Sequence, residues 1–400
     1  MNNFYNFLNL LKIESIKQQQ KINLIASENY SSLASIIYSS SSFINKYTEG
    51  YPFNRYYSGC KIFDYFENKS IIESQLLFSS LFSNVQPHSG VQANFSVFQT
   101  LLKKNDKILS LDLKSGGHLS HGFKKNFSGE IFEIVNYCLD KNNFLNYNYI
   151  ELLLKKEKPK LIIIGYSCYQ SNIDWNYLKY ITKKQNCLLL SDISHISGFI
   201  CSGLICNPIK NSDIVTSTTH KTLRGAKGGI ILSNNNNYFK KINSSVFPGQ
   251  QGGCISNLII SKYISFKEAN NFNFINYSKQ ILINSKIMLK VFLYRGYKSL
   301  NLDTINHMFV IHLKNKFSLK IEKQLEKNGI LINKNFFPND NKNSINPSAI
   351  RIGLSAITTR KLKNFEVELL SNIICNIIEN NDINYKDKIN FICNKFPIYK

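Results

Sequence analysis

The sequence predicts an α/β fold organised around a mostly parallel β-sheet, on three observations. Short runs of almost continuous apolar residues recur between residues 107 and 234, as in strands that are buried on both faces. A segment of helical periodicity separates two of these runs, which is typical of βαβ units. Polar side chains follow the runs at their ends, where ligands bind in parallel sheets.

Five of these runs are predicted strands, and the segment after the second is a predicted helix. The strands are KILSLDL from residue 107, KLIIIGYS from 160, CLLLSDIS from 187, DIVTSTT from 213 and GGIILSN from 228. The helix is NIDWNYLKYITKKQN, from residue 172. Further helices are predicted over residues 3–20, 61–83 and 91–102, and a long, mainly helical stretch over 256–292.

The C-terminal part of the chain has a second pattern. It contains a strand MFVIHL, a helix SLKIEKQLEKNG, an edge ILINKN and a strand-like IRIGLSAIT, followed by a helical region. This pattern predicts a smaller C-terminal α+β domain. We therefore divide the chain into an N-terminal helical arm over residues 1–45, a large α/β domain over 46–275 and a small domain over 276–400.

The composition indicates a globular protein and argues against several function classes. The formal charge of +23 comes from 44 lysines and five arginines spread along the whole chain, so we expect no nucleic-acid partner. Nine cysteines without a C-x-x-C pair argue against a zinc site or a disulfide framework. The same cysteine pattern indicates a reducing compartment, the cytoplasm or an organelle matrix, and of the two we expect the cytoplasm. We see neither an apolar run of membrane-spanning length nor a signal peptide, and expect no membrane partner.

One lysine has a sequence context that suits a nucleophile. The stretch DIVTSTTHKTLRGAKGG, residues 213–229, is a β-branched strand that ends in hydroxyls and delivers Lys221 to a glycine-rich turn. Lysine amines form Schiff bases with carbonyls, and a confined site lowers the pKa of the amine enough for that chemistry. The alternative is a solvated surface lysine, as most lysines in so lysine-rich a chain must be.

Other candidate residues would suit a Schiff-base lysine whose carbonyl belongs to pyridoxal phosphate. Asp192 can keep the pyridine nitrogen protonated, with a cap for a following helix as the alternative, and His118 can cover the ring face. The helix start at Ser89-Gly90 can bind the phosphate, with an ordinary serine N-cap as the alternative. Arg351 can clamp a substrate carboxylate. His118 and His121 have no cysteine or acidic partner at ligand spacing, so we predict no metal site.

A segment rich in tyrosine, glycine and proline precedes the helix predicted from residue 61. In INKYTEGYPFNRYYSGC, residues 44–60, four tyrosines (Tyr47, Tyr51, Tyr56 and Tyr57) surround one carboxylate, Glu49. We expect an irregular loop here. The cluster is either functional or an ordinary aromatic packing motif, and the residues alone leave both open.

Several spaced segments resemble those of one enzyme family. They are ASENY from residue 26, NKYTEGYPFNRYYSGC from 45, NVQPHSG from 84, QANF from 92, GGHLSHG from 116, THKTLRG from 219, and FPG and QGG within 247–253. This order is similar to that of the serine hydroxymethyltransferases, and the resemblance runs from about residue 3 to the end of the chain.

The resemblance implies a fold and an activity. It implies pyridoxal-phosphate fold type I, that of aspartate aminotransferase, with a seven-stranded, mostly parallel sheet between helices and a smaller C-terminal α+β domain. It also implies the reversible conversion of L-serine and tetrahydrofolate to glycine and 5,10-methylenetetrahydrofolate. The active site would be shared across the interface of a homodimer.

The resemblance also implies a role for each matching residue. The residues that would hold pyridoxal phosphate are Lys221, as a Schiff base, and Asp192, His118, Ser167, His195, Ser89, Gly90 and His220. Tyr47, Gly252 and Gly253 would complete the phosphate site from the partner subunit. The residues that would hold the substrates are Ser27, Arg351, Glu49, Tyr56 and Tyr57, with Leu113, Gly117, Leu119 and Asn335 at the pterin. Catalysis would rest on Lys221, Glu49, His118, Asp192, His220 and Tyr57.

Three departures from the family pattern bear on cofactor affinity. Val91 stands where the family usually has a third small hydroxyl after Ser-Gly, so one phosphate donor is lost. Lys227 replaces the usual arginine after the Schiff-base lysine. Gln250 replaces a glycine in the FPGGQGG turn. We expect weakened cofactor binding but retained catalysis.

Two other functions are alternatives. One is a folate-independent β-hydroxy amino acid aldolase, against which the tyrosine–glutamate loop argues. The other is a catalytically weakened relative that binds RNA through its positive charge, which would show a steep salt dependence. Folate-dependent serine cleavage, compared with folate-independent threonine cleavage, separates the first alternative from the main hypothesis.

Overall fold

The computed structural model describes residues 2–314, 316–337, 347–380 and 384–399. The chain divides into two compact units. One unit is formed by Ser31–Lys279 and the other by Met1–Tyr30 together with Gln280–Lys400. The three-segment division at residues 45 and 275 stays a prediction. Within each unit, the secondary structure follows closely from the sequence patterns described above.

Several helices begin at capped first turns. The side chains of Ser32, Asn146, Asp174 and Asn235 each accept a hydrogen bond from the backbone of the following turn.

No helix in the described part of the chain has the length and apolar character needed to cross a bilayer. The helices are α1 Asn2–Gln19, α2 Leu33–Ser39, α3 Lys61–Phe78, α4 Gly90–Leu101, α5 Phe127–Ile131, α6 Tyr147–Glu157, α7 Trp175–Lys184, α8 Ser197–Cys201, α9 Asn236–Val246, α10 Ser256–Ala269, α11 Phe272–Tyr294, α12 Ser318–Lys327, α13 Ser355–Thr359, α14 Asn364–Glu379 and α15 Lys386–Lys395.

The strands of the two units form separate sheets. The five apolar runs predicted as strands all form strands, and the predicted strands near residues 308 and 350 are also present. The strands are β1 Ile22–Asn23, β2 Gly50–Tyr51, β3 Asn54–Arg55, β4 Phe82–Asn84, β5 Lys107–Leu111, β6 Glu133–Tyr137, β7 Leu161–Gly165, β8 Leu188–Asp192, β9 Ile214–Thr218, β10 Gly229–Ser233, β11 Lys298–Ser299, β12 Met308–His312, β13 Ile330–Leu331, β14 Asn333–Asn335 and β15 Ala349–Gly353.

A seven-stranded sheet forms the centre of the Ser31–Lys279 unit. Its strand order is β4-β10-β9-β8-β7-β5-β6. Neighbouring strands from β9 to β6 pair parallel, whereas β10 pairs antiparallel with both β9 and β4. Strands β7 and β9 are buried along their whole length. Burial on both faces explains the apolar sequence of β7, whereas β9 also buries the hydroxyl side chains of residues 216–218. The prediction of a mostly parallel, seven-stranded α/β sheet is confirmed.

Helices α4 and α9 share a hydrophobic core with this sheet. The core residues that the two helices contribute are Ala93, Val97, Phe98, Ile242 and Val246, and those of the strands are Phe82, Ile108, Leu161, Ile163, Leu190, Ile214 and Ile231. Burying such side chains is the main stabilising contribution to a layered fold. The packing also fixes the first turn of α4 against the sheet, which matters for the site described below.

The other unit contains a four-stranded antiparallel sheet. Its order is β11-β12-β15-β14, with Val310 of β12 and Asn333 of β14 both opposite Arg351 of β15. The N-terminal residues join this unit because β1 pairs parallel with β13, Ile22 opposite Ile330. The predicted smaller α+β domain is confirmed, and in the structure it includes these N-terminal residues.

Two predicted helices have different boundaries in the structure. The helix predicted over 61–83 ends at Phe78, because Ser79 adopts a left-handed backbone conformation (φ 54°) and β4 follows. The backbone of β4 pairs with β10, so sheet pairing decides the conformation of residues 82–84. The helical stretch predicted over 256–292 is two helices, α10 and α11. The loop predicted over 44–60 contains a short hairpin, β2–β3.

Candidate active site

The parallel strands bring several predicted site residues to one edge of the sheet. Gly165 of β7 is opposite Asp192 of β8, which is opposite Thr216 of β9. Ser167 follows β7, Asp192 ends β8, and Lys221 follows β9. Because parallel strands end at the same edge, these side chains belong to adjacent loops, as the sequence predicts.

Asp192 is a buried carboxylate that accepts four hydrogen bonds. Its Oδ2 accepts from Asn94 Nδ2 at 2.9 Å and from His121 Nε2 at 3.0 Å. Its Oδ1 accepts from the backbone N of Ser194 at 3.1 Å and from Oγ of the same residue at 2.6 Å. Burial opposes ionisation, but the hydrogen bond and charge of His121 outweigh it and bring the pKa of Asp192 below its ordinary value. The carboxylate is therefore ionised and held in one orientation.

Asn94 and His121 are partners of Asp192 that the sequence patterns do not reveal. The spacing of His121 from His118 suggests only a metal ligand, and the described part of the chain contains no group of three side chains suited to a metal ion. Asn94 is completely buried in α4, where its Oδ1 accepts from Thr216 Oγ1 at 2.6 Å. The available signal was a polar side chain on the apolar face of a predicted helix, which needs a buried partner.

His118 lies in the glycine-rich segment after β5. Its Nδ1 accepts a hydrogen bond from the backbone N of Ser120 at 3.2 Å, and Oγ of the same serine lies 2.8 Å from that nitrogen. Ser120 Oγ also accepts from Asn94 Nδ2 at 3.0 Å. The His118 and His121 ring centroids are 5.4 Å apart. One hydrogen-bond network therefore orients His118 and the donors of the Asp192 carboxylate.

Ser167 holds the same glycine-rich segment against the end of β7. Its Oγ donates to the carbonyls of Gly116 and Gly117, at 3.1 and 2.9 Å. Leu113, at the start of the segment, is half-buried, whereas Leu119 is 49% exposed. The predicted pterin contacts in this unit thus lie on one loop, whose carbonyls Ser167 fixes.

Lys221 is buried, with 7% of its surface exposed. The adjacent Thr222 donates from Oγ1 to the carbonyl of His195 at 3.2 Å and accepts from the backbone N of Gly198 at 3.1 Å. These bonds join the lysine loop to the segment that follows β8, and His195 in that segment is itself buried. The alternative that Lys221 is a solvated surface lysine is therefore wrong.

His220 is held in its neutral form. Burial, together with the positive charges of Lys221, Lys227 and Lys262, lowers the pKa of His220 to about 4. Its Nδ1 is buried and has no hydrogen-bond partner among the described residues. An unpaired buried ring nitrogen is costly, so this position destabilises the fold unless the histidine has another role.

The start of α4 lies against the strands that flank the lysine loop. Ser89 is the N-cap, and its Oγ accepts from the backbone N of Gln92 at 3.1 Å. A Cβ atom at Gly90 would lie 2.7 Å from Thr218 Cγ2, and one at Gly229 would lie 2.3 Å from the Ser89 carbonyl oxygen. Glycine at both positions permits this close approach, which places a helix N-terminus beside the ends of β9 and β10.

A second cluster contains the predicted tyrosine and glutamate residues. The Tyr47 and Tyr57 ring centroids are 5.3 Å apart, and the negative charge of Glu49 raises the pKa of Tyr57. A Cβ atom at Gly252 would lie 2.9 Å from Glu49 Oε1, and one at Gly253 would lie 3.5 Å from a ring carbon of Tyr47. These residues, which lie far apart in sequence, thus form one surface.

Tyr56 lies at the edge of this region and is 74% exposed. Its ring packs edge-on against Phe247, with the centroids 5.6 Å apart. Phe247 begins the turn that leads to Gly252, so the tyrosine segment contacts this turn at both ends. The cluster packs in an ordered way and still presents phenol groups to solvent.

Three predicted substrate residues belong to the other unit. Arg351 is buried in β15, and its Nε donates to Asn333 Oδ1 at 3.2 Å. Asn335 ends β14 and donates from Nδ2 to the Phe336 carbonyl at 2.7 Å. Ser27 follows Ala26, whose backbone packs so closely on Gly353 that a Cβ atom there would lie 2.3 Å from the Ala26 Cα. Ser27 and the end of the Arg351 strand are therefore neighbours within this unit.

A sequence profile described as serine hydroxymethyltransferase matches residues 3–374 of this chain. The chain belongs to the serine hydroxymethyltransferase family. A protein of that name from Buchnera aphidicola subsp. Acyrthosiphon pisum (strain 5A) is 43% identical over 395 residues, covering 96% of this chain and 95% of the relative. Another from Phytoplasma mali (strain AT) is 43% identical over 413 residues, covering 100% and 99%. A third, from Francisella tularensis subsp. novicida (strain U112), is 42% identical over 398 residues, covering 98% and 95%.

The structure shows what replaces the family pattern at the three departures. Val91 lies in the first turn of α4 and is 37% exposed. Lys227 is exposed in the lysine loop, where its charge acts on His220. Gln250 donates from Nε2 to Gln99 Oε1 at 2.9 Å and accepts from Ser96 Oγ at 3.1 Å. The substitution by glutamine therefore adds hydrogen bonds between the glycine turn and α4.

Proposed function

We propose that this chain catalyses the reversible conversion of L-serine and tetrahydrofolate to glycine and 5,10-methylenetetrahydrofolate with pyridoxal phosphate as its cofactor. The observation that carries the proposal is that a buried lysine, Lys221, and an ionised carboxylate, Asp192, lie at the ends of two neighbouring parallel strands. Membership of the serine hydroxymethyltransferase family supports the same reaction.

The residues present fit pyridoxal phosphate. The ionised Asp192 offers a partner for a protonated pyridine nitrogen, and Lys221 offers an amine for the aldehyde. The start of α4 at Ser89-Gly90 suits a phosphate group, and we assign His220, which precedes Lys221, to the same phosphate site. Ser167 follows β7 and His195 follows β8. We assign both residues to the oxygen substituent of the pyridine ring.

The cofactor, when bound, supplies an electron sink for the bond that breaks at the substrate α-carbon. The chain's own residues then orient the ring. The hydrogen bonds from Asn94, His121 and Ser194 hold Asp192 ionised, so that it can keep the ring nitrogen protonated. His118 is oriented by Ser120 and would cover the ring face.

The tyrosine–glutamate cluster would manage the proton at the hydroxymethyl group. Glu49 is half-buried, and its charge raises the pKa of Tyr57, so the phenol stays protonated and can donate. We assign Tyr56 to the same substrate region. Ser27 and Arg351 would bind the substrate carboxylate, since a guanidinium fork matches a carboxylate bidentately. The pterin contacts would be Leu113, Gly117, Leu119 and Asn335.

We further propose a homodimer in which Tyr47, Gly252 and Gly253 complete the phosphate site of the partner subunit. Tyr47 and Tyr57 are 57% and 47% exposed, although they form an ordered cluster. The segments on either side of them expose several large apolar side chains: Ile36, Ile37, Ile44, Ile62 and Tyr65. An exposed apolar surface of this kind is typical of a subunit interface. A cytoplasmic location stays a prediction.

Titration of the purified protein with pyridoxal phosphate tests this function. We expect a protonated Schiff-base absorbance band that Lys221→Ala abolishes and that Lys241→Ala, at an exposed lysine of α9, leaves unchanged. We also expect serine cleavage that depends on tetrahydrofolate. A wild-type protein without the band would contradict the proposal, and folate-independent cleavage of threonine at an equal or higher rate would indicate the aldolase instead.

A further inference from the structure

Lys262 of α10 is a buried cation that the proposed chemistry does not use. Only 2% of its surface is exposed. Its Nζ donates to three backbone carbonyls, those of Val85 at 2.6 Å, Pro87 at 3.0 Å and Gly229 at 3.0 Å. A buried lysine is rare unless its charge is satisfied, so these carbonyls are essential partners.

The three carbonyls belong to two segments that meet at the predicted phosphate site. Val85 and Pro87 precede the N-cap Ser89, whereas Gly229 is the first residue of β10, directly after the lysine loop. The backbone N of Gly229 also donates to the Pro87 carbonyl at 2.9 Å. One ammonium group therefore fastens the entry to α4 to the start of β10.

The Gly228-Gly229 pair is explained by this arrangement. A Cβ atom at Gly228 would lie 2.2 Å from Cε and 2.6 Å from Nζ of Lys262, so the lysine occupies the space that a side chain would need. A Cβ atom at Gly229 would strike the Ser89 carbonyl oxygen at 2.3 Å. Both glycines thus serve the same junction between the lysine loop and α4.

The charge of Lys262 also acts on the neighbouring histidines. It contributes to the lowered pKa of His88 and to that of His220, although burial is the larger cause for both. His88 precedes the N-cap, and His220 precedes Lys221. A positive charge on Lys262 also favours an anion in their vicinity.

We propose that Lys262 is a positioning residue that shapes the backbone of the phosphate site by holding Val85–Gly90 against Gly228-Gly229. The role rests on the proposed function, because it assumes that a phosphate monoester binds at the start of α4. Lys262 touches backbone carbonyls rather than the ligand. Its loss should therefore weaken recognition of the phosphate group and leave recognition of the ring intact.

The affinities for pyridoxal phosphate and for pyridoxal, which lacks the phosphate, separate this role from general stability. Lys262→Met should weaken pyridoxal phosphate binding about tenfold or more. The displaced backbone would lose at least one hydrogen bond to the charged phosphate, and one such bond corresponds to about that factor. The affinity for pyridoxal should change less than about threefold. Lys267→Met is the matched control, because this lysine is exposed on the same helix. An equal loss for both ligands would overturn the proposal.

Hydrogen exchange of the cofactor-free protein provides a readout that does not depend on the reaction. Lys262→Met should increase exchange at residues 85–92 and 226–230 and leave the other strands of the sheet unchanged. A uniform increase, or none, would contradict the positioning role. If wild-type protein binds no pyridoxal phosphate, the proposed function fails, and the exchange result still tests the junction.

A second variant covers the case in which Lys262→Met does not fold. Gly228→Ala places one methyl group where the lysine head lies, so it should reproduce the selective loss of pyridoxal phosphate affinity. In a Lys262→Ala background the same methyl group has room. Adding Gly228→Ala to that variant should therefore weaken pyridoxal phosphate affinity by less than about twofold. Additive effects of the two changes would show that Gly228 and Lys262 act independently and would overturn the proposal.

Discussion

Replacement of Arg55 by methionine should destabilise the Ser31–Lys279 unit strongly, because Arg55 neutralises two buried carboxylates. Its Nε donates to Asp64 Oδ1 at 2.8 Å and its Nη2 to Glu67 Oε2 at 2.5 Å. Its Nη1 donates to the carbonyls of Thr48 and Gly50, at 3.0 and 2.7 Å. The side chains of the three charged residues are at most 9% exposed. The guanidinium thus holds the β2–β3 hairpin, which Glu49 directly precedes.

The expected loss is about 3–5 kcal/mol of unfolding free energy, the usual range for leaving buried charges unpaired. The two charge-assisted hydrogen bonds, at about 1.5–3 kcal/mol each, give a similar total. Burial already raises the pKa of Glu67 even though Arg55 lowers it. Without Arg55 the folded state binds a proton at Glu67 more readily than the unfolded chain does. The loss should therefore be larger at pH values above neutrality and smaller in mild acid.

Urea unfolding followed by circular dichroism measures this loss. Arg55→Met should shift the midpoint to lower urea, and the triple variant with Asp64→Asn and Glu67→Gln should recover most of the loss, since no buried charge is left unpaired. A loss below about 1 kcal/mol, in the range of exposed ion pairs, would refute the argument that this cluster is buried and coupled.

Three further predictions concern other parts of the chain. Gln250→Gly removes the hydrogen bonds to Gln99 and Ser96 and should cost about 1–2 kcal/mol of unfolding free energy in a urea titration; no loss would show that these bonds do not contribute. Burial and neighbouring cations lower the pKa of His220 to about 4, so the unfolded chain binds more protons than the folded chain between about pH 4 and 6.5. Acidification across this window should therefore destabilise the wild type relative to His220→Asn by about 3 kcal/mol of unfolding free energy. Parallel pH profiles of the two proteins would contradict this. Arg360→Met should lower the thermal midpoint of the other unit, since its buried guanidinium donates to four backbone carbonyls; an unchanged midpoint would count against that anchoring role.

The fold was predictable where local pattern decides the structure. The apolar run after residue 160 forms a fully buried strand, as its composition predicts, and the β-branched run after residue 213 forms another. The strand β4, by contrast, has only three residues and exists because β10 offers a pairing edge. Its sequence continues the helical pattern of α3, so only the tertiary structure distinguishes the two elements.

The sequence predicts which strand ends carry the candidate site residues, but it does not predict the hydrogen-bond network that connects them. Asp192 and Lys221 follow from their positions after apolar strands. Two of the donors to Asp192, Asn94 and His121, come from 98 and 71 residues away, and no sequence spacing connects them to it. The sequence does not reveal the role of Lys262 either, since a lysine in a predicted helix is normally exposed.

The few arginines proved informative. Arg55 donates hydrogen bonds to two carboxylates, and Arg295 donates to Asn376 and Glu379. Arg360 donates to four carbonyls, while Arg224 lies 4.5 Å from the Tyr277 ring centroid. In a chain whose cations are mostly lysine, each of these positions uses a planar guanidinium that lysine cannot replace.

The central claim is that Lys221 carries the cofactor, and mapping the attachment point tests it most directly. Protein incubated with pyridoxal phosphate is reduced with borohydride, digested and analysed by peptide mass spectrometry. We predict a pyridoxyl group on Lys221 alone. Burial lowers the pKa of Lys262 to about 7, which would favour a reactive amine, but its Nζ is bound to three carbonyls, so we predict no pyridoxyl group there. Attachment to a different lysine, or no stoichiometric attachment, would contradict the account.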